Sequence, residues 1–475
     1  MSKFFKSLRL SDFLLVLGIG AFIGMLVPGY EAMAKNDVVH LAQPLWLNII
    51  LFFTMILFYG LYILRERKKE VYNINKYLRV LFVLVLTISL IVILTQPETI
   101  DFVVTAKRPV IQTVGLSVPI SFGTKMFMCM QIFGILSTIY LLIFNYSKRI
   151  KSINFIHILA VIFILLILAS ITWTIVKEAN HYPGFVKALF AKDFEVSEVG
   201  KNAIKSFYLN KNMYAIILFL GLLLMGVAHH VSNKKIYFFF IAITYLETGF
   251  TFSRTGYILA TGFILIFIYH KLFSHFKHSP KGIISTITIS ILLATVVVFL
   301  FVFVEEVRTR FTKLFFGGGM TFSSRTTIWE YCRAIVTDPL SFIIGRGYGT
   351  FNIALNDAIA AGLGESMTVS AHSWVFSLLG KGGLLYLALF LSIVIYGIVN
   401  SVKVYYRNRG LSFILIAAIA LTIVYSLFED FYYTTLVFVL LGIVANRCFK
   451  PKPVEAPQPV YNRLIIVNGQ VIIQQ

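Results

Sequence analysis

The sequence has few charged residues and very few cysteines, and each shortage excludes a class of protein. Only 13% of its residues are charged, whereas soluble domains average about 25%. With 58% hydrophobic residues, the composition is not that of a soluble enzyme. The three cysteines, Cys129, Cys332 and Cys448, have spacings that suit neither a disulfide framework nor a metal site.

Acidic residues are also scarce, and the chain carries a large excess of positive charge. There are 21 Asp and Glu residues against 42 Lys and Arg residues, which gives a formal net charge of +21. In a soluble protein this excess would indicate nucleic acid as a partner. In a polytopic membrane protein, basic residues collect in cytoplasmic loops and contact anionic lipid. We therefore predict membrane lipids as partners and no nucleic acid.

Long apolar runs fill most of the chain. A membrane-spanning helix needs about 20 mostly apolar residues. The segments that qualify are 12–29, 45–64, 77–95, 124–144, 154–176, 207–230, 236–252, 255–275, 283–304, 374–400, 412–428 and 431–447. The sequence therefore predicts an all-α polytopic membrane protein with about 12 transmembrane helices.

The short loops predict how the chain is oriented in the membrane. With the N-terminus in the cytoplasm, every short loop on that side is basic. These loops contain Arg65 to Lys69, Lys148 to Lys151, Lys234 and Lys235, Lys271 to Lys281, and Lys403 to Arg409. The positive-inside rule then predicts cytoplasmic termini in a multi-pass protein of the plasma (inner) membrane. The intervals 177–206 and 305–373 fall on the opposite side, facing the periplasm or the cell exterior.

This topology divides the chain into five parts. Residues 1–200 hold spans one to five and an outer loop, 201–304 hold spans six to nine, and 305–373 form a large extracytoplasmic loop. Residues 374–449 hold the last three spans, and 450–475 form a cytoplasmic tail. The tail opens with four prolines, which indicate an extended linker. It continues with apolar residues on both sides of Asn468-Gly469, the pattern of a small β-hairpin.

Polar residues recur at the predicted outer ends of helices. They are Lys211 and Asn212, Arg254, Arg325 in the long loop, and His372 just before span ten. A loop as long as 305–373 is usually functional or disordered, and its aromatic residues and glycines argue against disorder. We interpret the loop as a cap over an active site at the membrane surface.

Arginine is suited to bind phosphate oxygens because its planar guanidinium group donates two parallel hydrogen bonds. Arg254 sits in a tight turn between two apolar stretches, where a charge is costly and typically functional. The alternative is an interfacial arginine that reaches toward lipid headgroups. Arg325 has the simpler alternative of an ordinary loop arginine. Ile328, Trp329 and Ile335 after it predict an amphipathic helix on the membrane surface.

His372 is a candidate general base, since the proton affinity of histidine lies near neutral pH. Taken alone, it is equally explained as a structural residue at a helix start. Three other features are interpreted as structural: Glu247 as a residue paired inward, His229 and His230 as interfacial, and Gly345 to Gly349 as a mobile turn. No cluster of outer carboxylates indicates a divalent metal.

Six short motifs occur in a fixed order between about residue 200 and residue 445. They are Leu-Asn-Lys-Asn-Met-Tyr at 209–214, Phe-Ser-Arg-Thr-Gly at 252–256, Ser-Arg-Thr-Thr-Ile-Trp at 324–329, Gly-Arg-Gly-Tyr-Gly at 345–349, Ala-His-Ser at 371–373 and Gly-Gly-Leu-Leu at 382–385. This order resembles the O-antigen ligase and polymerase family of membrane glycosyltransferases. The family often has asparagine where Ser373 stands here.

The resemblance implies a GT-C-like membrane fold and a metal-independent, inverting glycosyl transfer without a cofactor. The donor would be a glycan on a polyprenyl diphosphate such as undecaprenyl diphosphate. Arg254 and Arg325 would hold the diphosphate, Lys211 with neighbouring Asn212 would add contacts there, and His372 would take the proton of the acceptor hydroxyl. Other polysaccharide-assembly proteins would be possible partners in the cell envelope.

Three functions remain open from the sequence. A polysaccharide polymerase would extend a carrier-linked chain, and a ligase would move the finished chain to a lipid or cell-wall acceptor. A transporter of lipid-linked sugars would also need cations for the diphosphate, but it should carry deep polar residues and a pair of broken helices. We favour the polymerase slightly.

Overall fold

The computed structural model describes most of the chain. The described residues are 45–66, 76–95, 99–106, 112–119, 122–139, 152–191, 195–207, 211–276, 322–347, 350–363, 371–406, 408–428, 433–448, 463–467 and 470–474, with isolated residues between 10 and 21 and at 288, 305 and 309.

Helices dominate the described residues, and two short hairpins interrupt them. In chain order the elements are α1 (Leu45–Glu66), α2 (Lys76–Thr95), β1 (Thr99–Ala106), β2 (Gln112–Pro119), α3 (Phe122–Ile139), α4 (Ser152–Lys177), α5 (His181–Leu189), α6 (Val196–Lys201), α7 (Lys211–Ser232), α8 (Lys235–Phe250), α9 (Arg254–Phe276), α10 (Phe322–Ile335), α11 (Pro339–Ile344), α12 (Thr350–Leu363), α13 (Trp374–Tyr405), α14 (Arg409–Phe428), α15 (Tyr433–Cys448), β3 (Arg463–Val467) and β4 (Gln470–Gln474).

Several of these helices have the length and composition of membrane spans. Within the described residues, four are long and apolar enough to cross a membrane: Ile156–Lys177, Lys211–Ser232, Trp374–Tyr405 and Arg409–Phe428. Shorter apolar helices lie at 49–65, 80–95, 128–138, 254–270 and 434–446. Large apolar side chains such as Phe53, Leu165 and Leu246 are exposed on their outer faces, as expected for contact with lipid. The count of 12 spans stays a prediction, because the segment 283–304 and most of 12–29 lie outside the described residues.

Helix α7 is the centre of the bundle. Sixteen of its 22 residues are buried, and it packs against α4, α8, α9 and α14. An apolar sequence on all sides favours such a central position. Glycines allow the close approach of its neighbours, since a Cβ at Gly221 would overlap Ile167 of α4 and one at Gly226 would overlap Phe263 of α9.

The bundle has two ends, which we name after residues because its orientation in a membrane is a prediction. His270 stacks on Phe413 with ring centroids 5.3 Å apart, and a Cβ at Gly410 would meet His270 and His230. The C-terminal ends of α7 and α9 therefore meet the start of α14 at what we call the His270 end. The helices α7 and α9 consequently begin together at the opposite end, the Arg254 end, where Lys211 and Arg254 lie.

Helix α13 is broken rather than straight. Gly383 has φ 65° and ψ −161°, a conformation that essentially only glycine adopts. Trp374 and Phe390 lie on opposite sides of this break, and their ring centroids are 5.3 Å apart. In a straight helix their backbones would be about 24 Å apart. The segment 374–382 therefore folds back along the segment 384–405, so the helix predicted at 374–400 changes direction at Gly383.

The two hairpins show what the fold class left out. The C-terminal hairpin around Asn468-Gly469 is confirmed, with Val467 opposite Gln470. The β1–β2 hairpin, in which Thr99 pairs with Pro119, lies in an interval treated as a plain loop. It packs against α10 and α12, so the described residues are mostly helical but include a strand pair packed within the fold.

Candidate functional site

The turn between α8 and α9 places Arg254 at the start of a helix. Thr251, Phe252 and Ser253 form this turn, and Phe252 has a left-handed φ of 53°. The Thr251 hydroxyl donates to the carbonyl oxygen of Thr248 at 2.7 Å, which fixes the end of α8. Because the turn is so short, the Arg254 side chain stays close to the apolar helix ends, as the sequence predicted.

Lys211 lies beside this turn. Its Nζ atom is 4.9 Å from the centroid of the Phe252 ring, a cation–π contact. The two cations are neighbours, because Lys211 lies close enough to Arg254 for their positive charges to repel each other. The structure therefore brings together two of the predicted site residues. Asn212, the next residue of α7, is half-buried at the same end.

A cavity of about 430 Å³ opens next to Arg254. It lies between α5, the end of α8 and the start of α9. Its walls are Phe185, Val186, Leu189, Phe190, Tyr245, Leu246, Gly249, Phe250, Phe252, Ser253, Arg254 and Tyr257. Among these described residues Arg254 alone carries a charge. Apolar walls with one fixed cation suit an amphiphile that has an anionic head.

Arg325 lies on α10, one helical turn before Trp329. Its side chain is outside the described residues. Residues Ile328, Tyr331, Cys332 and Ile335 are buried with the spacing of an amphipathic helix. The helix is therefore confirmed, and it packs against β1, α12 and α13. Its location on the membrane surface stays a prediction.

His372 is held next to α10. The Trp329 indole nitrogen donates to the carbonyl oxygen of Ala371 at 3.1 Å, and the Trp329 ring stacks on Phe376 at 5.8 Å. His372 is half-buried, and its φ of 45° lies in the left-handed region, an unusual backbone state for a residue other than glycine. These contacts join the helix of Arg325 to the His372 segment.

The break in α13 sets the position of His372 along the bundle. Arg254 precedes His270 by 16 residues, and Phe390 precedes Tyr405 by 15 residues, so each lies about 23 Å from the His270 end. Trp374 contacts Phe390, and His372 is two residues before it. His372 therefore lies, like Arg254, well away from the His270 end.

The segment 345–347 connects the broken helix α13 to the end of α10. The Arg346 amide donates to the carbonyl oxygen of Gly380 at 2.8 Å, and its Nε donates to that of Ile335 at 2.9 Å. Its Nη2 pairs with Asp338 at 2.6 Å. A Cβ at Gly345 would overlap the backbone of Gly382. The prediction of a mobile turn here is wrong for Gly345, Arg346 and Gly347, which are docked.

Asp338 both caps α11 and pairs with Arg346. Partial burial raises the pKa of its carboxyl group, but hydrogen bonds from Ser341 and the charge of Arg346 outweigh burial, and the net pKa is lowered. The Ser341 amide donates to Asp338 Oδ1 at 2.8 Å. The carboxylate is therefore ionised at neutral pH and holds this segment in place.

Two buried ionisable groups were not assigned to the site from the sequence. Lys381 is 1% exposed and lies beside the break of α13. Glu247 is 5% exposed, and its carboxylate accepts hydrogen bonds from Tyr182 and Tyr214. The signal for Lys381 was a lysine within Gly-Lys-Gly-Gly at a span. For Glu247 it was a carboxylate between apolar runs.

The remaining predicted features have separate outcomes. His229 Nδ1 lies 3.1 Å from the Lys234 carbonyl oxygen, in keeping with a structural role. Within the described ranges, no group of three or more His, Cys, Asp or Glu side chains is placed to hold a metal ion. Cys129 and Cys332, the cysteines whose side chains are described, do not form disulfides.

Comparisons with known proteins add no relative: no family model, no curated protein and no solved structure matches the chain.

Proposed function

We propose that this protein is an outward-facing, inverting membrane glycosyltransferase. It would move a glycan from a polyprenyl diphosphate carrier to an acceptor hydroxyl during surface polysaccharide assembly. The observation that carries the proposal is the cavity of about 430 Å³ with apolar walls, Arg254 in its lining and Lys211 nearby. A polyprenyl diphosphate has the matching chemistry, because it joins a long apolar chain to a doubly charged head.

The proposed reaction needs no redox partner. The acceptor oxygen forms a bond to the anomeric carbon while the bond from that carbon to the diphosphate oxygen breaks. The diphosphate leaves with the bonding electrons, and fixed cations stabilise its growing charge in a partly dry site. A nearby base takes the proton of the acceptor hydroxyl. His372 is the proposed base, and it lies, like Arg254, away from the His270 end.

Each proposed site residue has one role. Arg254 binds diphosphate oxygens through its two-pronged donor group, and Lys211 adds a point charge. Asn212 supplies an amide beside them. Arg325 is proposed as a second arginine for the diphosphate, since α10 contacts the segment of His372. No metal or other cofactor is part of the proposal.

The acceptor distinguishes two forms of this proposal. A polymerase extends a carrier-linked repeat unit and produces a ladder of lengths. A ligase transfers one finished chain to a lipid or cell-wall acceptor. We retain the polymerase as first choice and the ligase as the alternative.

A transporter of lipid-linked oligosaccharide is the second alternative, and two observations favour it. Helix α13 is broken at Gly383, and Lys381 and Glu247 are buried charges. Inverted-repeat transporters use broken helices in pairs. In the described part of the chain, Gly383 marks one such break, so we rank the transporter below the enzyme.

Reconstitution separates the three functions. The purified protein is placed in liposomes with a lipid-linked repeat unit, and the products are sized. Growth of a ladder supports the polymerase, and transfer to an added acceptor lipid without growth supports the ligase. Movement of the donor across the bilayer with no new glycosidic bond would overturn the enzyme proposal. Arg254→Ala is the control for a specific reaction.

A further inference from the structure

The buried carboxylate of Glu247 joins three elements near the cavity. Both of its oxygens accept hydrogen bonds from the Tyr182 hydroxyl, at 2.8 and 3.0 Å. The Tyr214 hydroxyl donates to Oε1 at 2.9 Å. Tyr182 belongs to α5, Tyr214 to α7 and Glu247 to α8. The Glu247 side chain therefore connects the short helix α5 to the bundle helices α7 and α8.

The two tyrosines lie directly next to the proposed binding site. Tyr214 is three residues after Lys211, about one helical turn away. Tyr182 packs edge-on against Phe250 with ring centroids 5.0 Å apart, and Phe250 lines the cavity. Phe185, Val186 and Leu189 of the same helix α5 form one cavity wall. The position of α5 therefore determines the shape of the cavity.

Tyr182 is suited to donate to this carboxylate permanently. Burial raises the pKa of its hydroxyl, and the negative charge of Glu247 raises it further. The hydroxyl thus keeps its proton. Hydrogen bonds to a charged group are stronger than neutral ones, and a buried carboxylate is costly unless such donors surround it. Packing alone would be served as well by an apolar side chain.

We propose that Glu247 is a positioning residue: by holding Tyr182 and Tyr214, it seats α5 as the cavity wall and keeps the start of α7 beside Arg254. The part that concerns ligand affinity rests on the proposed function. The part that concerns α5 does not.

Four variants test the proposal in the full-length protein. Tyr182→Phe and Tyr214→Phe each remove one donor. Glu247→Leu removes the acceptor for both tyrosines. Glu247→Gln removes the charge but keeps an oxygen that accepts from both hydroxyls. The matched control is Tyr237→Phe. Tyr237 is on α8, like Glu247, but lies at the His270 end, and its buried hydroxyl is 2.7 Å from Nδ1 of His157 on α4.

The first measurement is hydrogen exchange at the amides of residues 181–190. We expect exchange about tenfold faster in Tyr182→Phe and in Glu247→Leu than in the wild type, because a hydrogen bond to a charged group is lost. Tyr237→Phe should leave this segment near the wild-type rate, and Glu247→Gln should speed exchange less than Glu247→Leu does, because its amide oxygen still accepts weaker, neutral hydrogen bonds. If Tyr182→Phe speeds exchange there no more than Tyr237→Phe does, the proposal is overturned.

The second measurement is binding of radiolabelled polyprenyl diphosphate in nanodiscs. Thermal stability is measured on the same preparations, and Tyr182→Phe and Tyr214→Phe should weaken affinity several-fold per folded molecule, whereas Glu247→Gln should weaken it less. Equal weakening in Glu247→Gln would overturn a positioning role. If the wild type itself binds no polyprenyl diphosphate, the proposed function fails, and the exchange experiment still decides the role of Glu247.

Discussion

The two ends of the helix bundle contain similar residues but use them differently. At the His270 end, His157 stacks on Tyr237 and hydrogen-bonds its hydroxyl at 2.7 Å, while His270 stacks on Phe413. At the Arg254 end, Lys211 lies over Phe252, and Arg254 lines a cavity. Both ends combine aromatic rings with ionisable groups. The described histidine contacts at the His270 end join helix to helix, whereas the Arg254 end contains a cavity of about 430 Å³.

This difference shows that residue type alone does not identify a site. Four histidines, His157, His229, His230 and His270, gather at the His270 end, yet ring stacking and hydrogen bonds account for their positions. A charged group in the lining of a cavity is a better indicator, because the cavity provides the volume for a ligand next to the charge. The assignment of function to the Arg254 end depends on that contrast.

The most direct test of the difference between the two ends is to determine which end faces the outside of the cell. We expect a cysteine introduced at Gly318 to react with a membrane-impermeant thiol reagent in intact cells. A cysteine introduced at Lys450 should react only after permeabilisation, because the basic loops predict a cytoplasmic tail. The variants are made in a background with the three native cysteines replaced. The reverse pattern would move the Arg254 end to the cytoplasm and remove the proposed reaction.

Arginine substitutions should have the largest effect on activity. We expect Arg254→Ala and Arg325→Ala each to abolish product formation, because the leaving diphosphate loses a fixed cation. Arg254→Lys should recover part of the activity, since a point charge does not reproduce the two-pronged contact. The assay is product sizing after reconstitution at equal protein abundance.

The matched control lies at the other end. Arg409 stacks over Tyr405 at 5.4 Å and also begins a helix, but it borders the His270 end. Arg409→Ala should therefore retain activity. Near-full activity in Arg254→Ala or Arg325→Ala would remove that residue from the site. A loss in Arg409→Ala as large as in Arg254→Ala would remove the distinction between the ends.

His372→Gln should lower turnover by roughly 100-fold, within the usual range for a lost acid–base group. Glutamine keeps a hydrogen bond but does not accept the proton. Donor binding should stay nearly unchanged, because the arginines supply it.

The structural alternative for His372 makes a different prediction. If the left-handed backbone at His372 only starts α13, the variant should lose thermal stability and keep its turnover per folded molecule. Donor binding, melting temperature and turnover are therefore measured on the same preparation. His270→Gln is the control at the other end and should keep turnover. Wild-type turnover in His372→Gln would exclude it as the base.

Much of the helical frame was predictable from the sequence. Apolar runs located helices such as α4, α7 and α14 to within a few residues, because about 20 apolar residues are needed to span a membrane. The isolated charge at Arg254 marked one candidate site residue for the same reason, as a charge between apolar stretches is costly. Asn-Gly between apolar residues located the C-terminal hairpin.

The fold-back and the cavity were not predictable, because both depend on contacts distant in sequence. Gly382-Gly383 stood inside a continuous apolar run, and hydropathy does not register a change of direction there. The break follows from Gly383 packing against the Ile343 carbonyl, 40 residues earlier. The cavity likewise needs α5, whose seat depends on the hydrogen bond from Tyr182 to Glu247.

Gly383→Ala tests the fold-back at the Arg254 end. A Cβ there would lie 2.2 Å from the Ile343 carbonyl oxygen, and φ 65° with ψ −161° is strained for alanine. We expect a loss of about 2 kcal/mol or more in folding free energy, together with lower activity as His372 is displaced. The measurement is thermal unfolding in detergent.

Gly262→Ala is the matched control on α9. Nothing lies within 4 Å of a Cβ at this position, so alanine should be neutral or stabilising by up to about 1 kcal/mol. Equal melting temperatures for Gly383→Ala and the wild type would contradict the break in α13 as described.

The smallest expected effect compares the helix caps of the two ends. Asp338 caps α11 at the Arg254 end and pairs with Arg346, whereas Asn408 caps α14 at the His270 end by accepting from the Leu411 amide at 3.0 Å. Asparagine is also a good cap, so Asp338→Asn mainly removes the ion pair. The pair is partly exposed, and its loss should cost less than about 1 kcal/mol.

The effect of Asp338→Asn on stability should depend on pH, and this dependence tests the role of the ion pair. The folded-state pKa of Asp338 lies below its ordinary value of 3.8, so its contribution is fully present above that value and is lost as the pH falls through the folded-state pKa. The stability difference between wild type and Asp338→Asn should therefore be constant from pH 7 to pH 5 and shrink below about pH 4.

Asn408→Ala should instead cost about 1 kcal/mol at every pH, because asparagine does not titrate. The measurement is the melting temperature of the wild type and both variants from pH 7 to below pH 4. If the stability difference between the wild type and Asp338→Asn persists unchanged in acid, the carboxylate charge does not hold this segment.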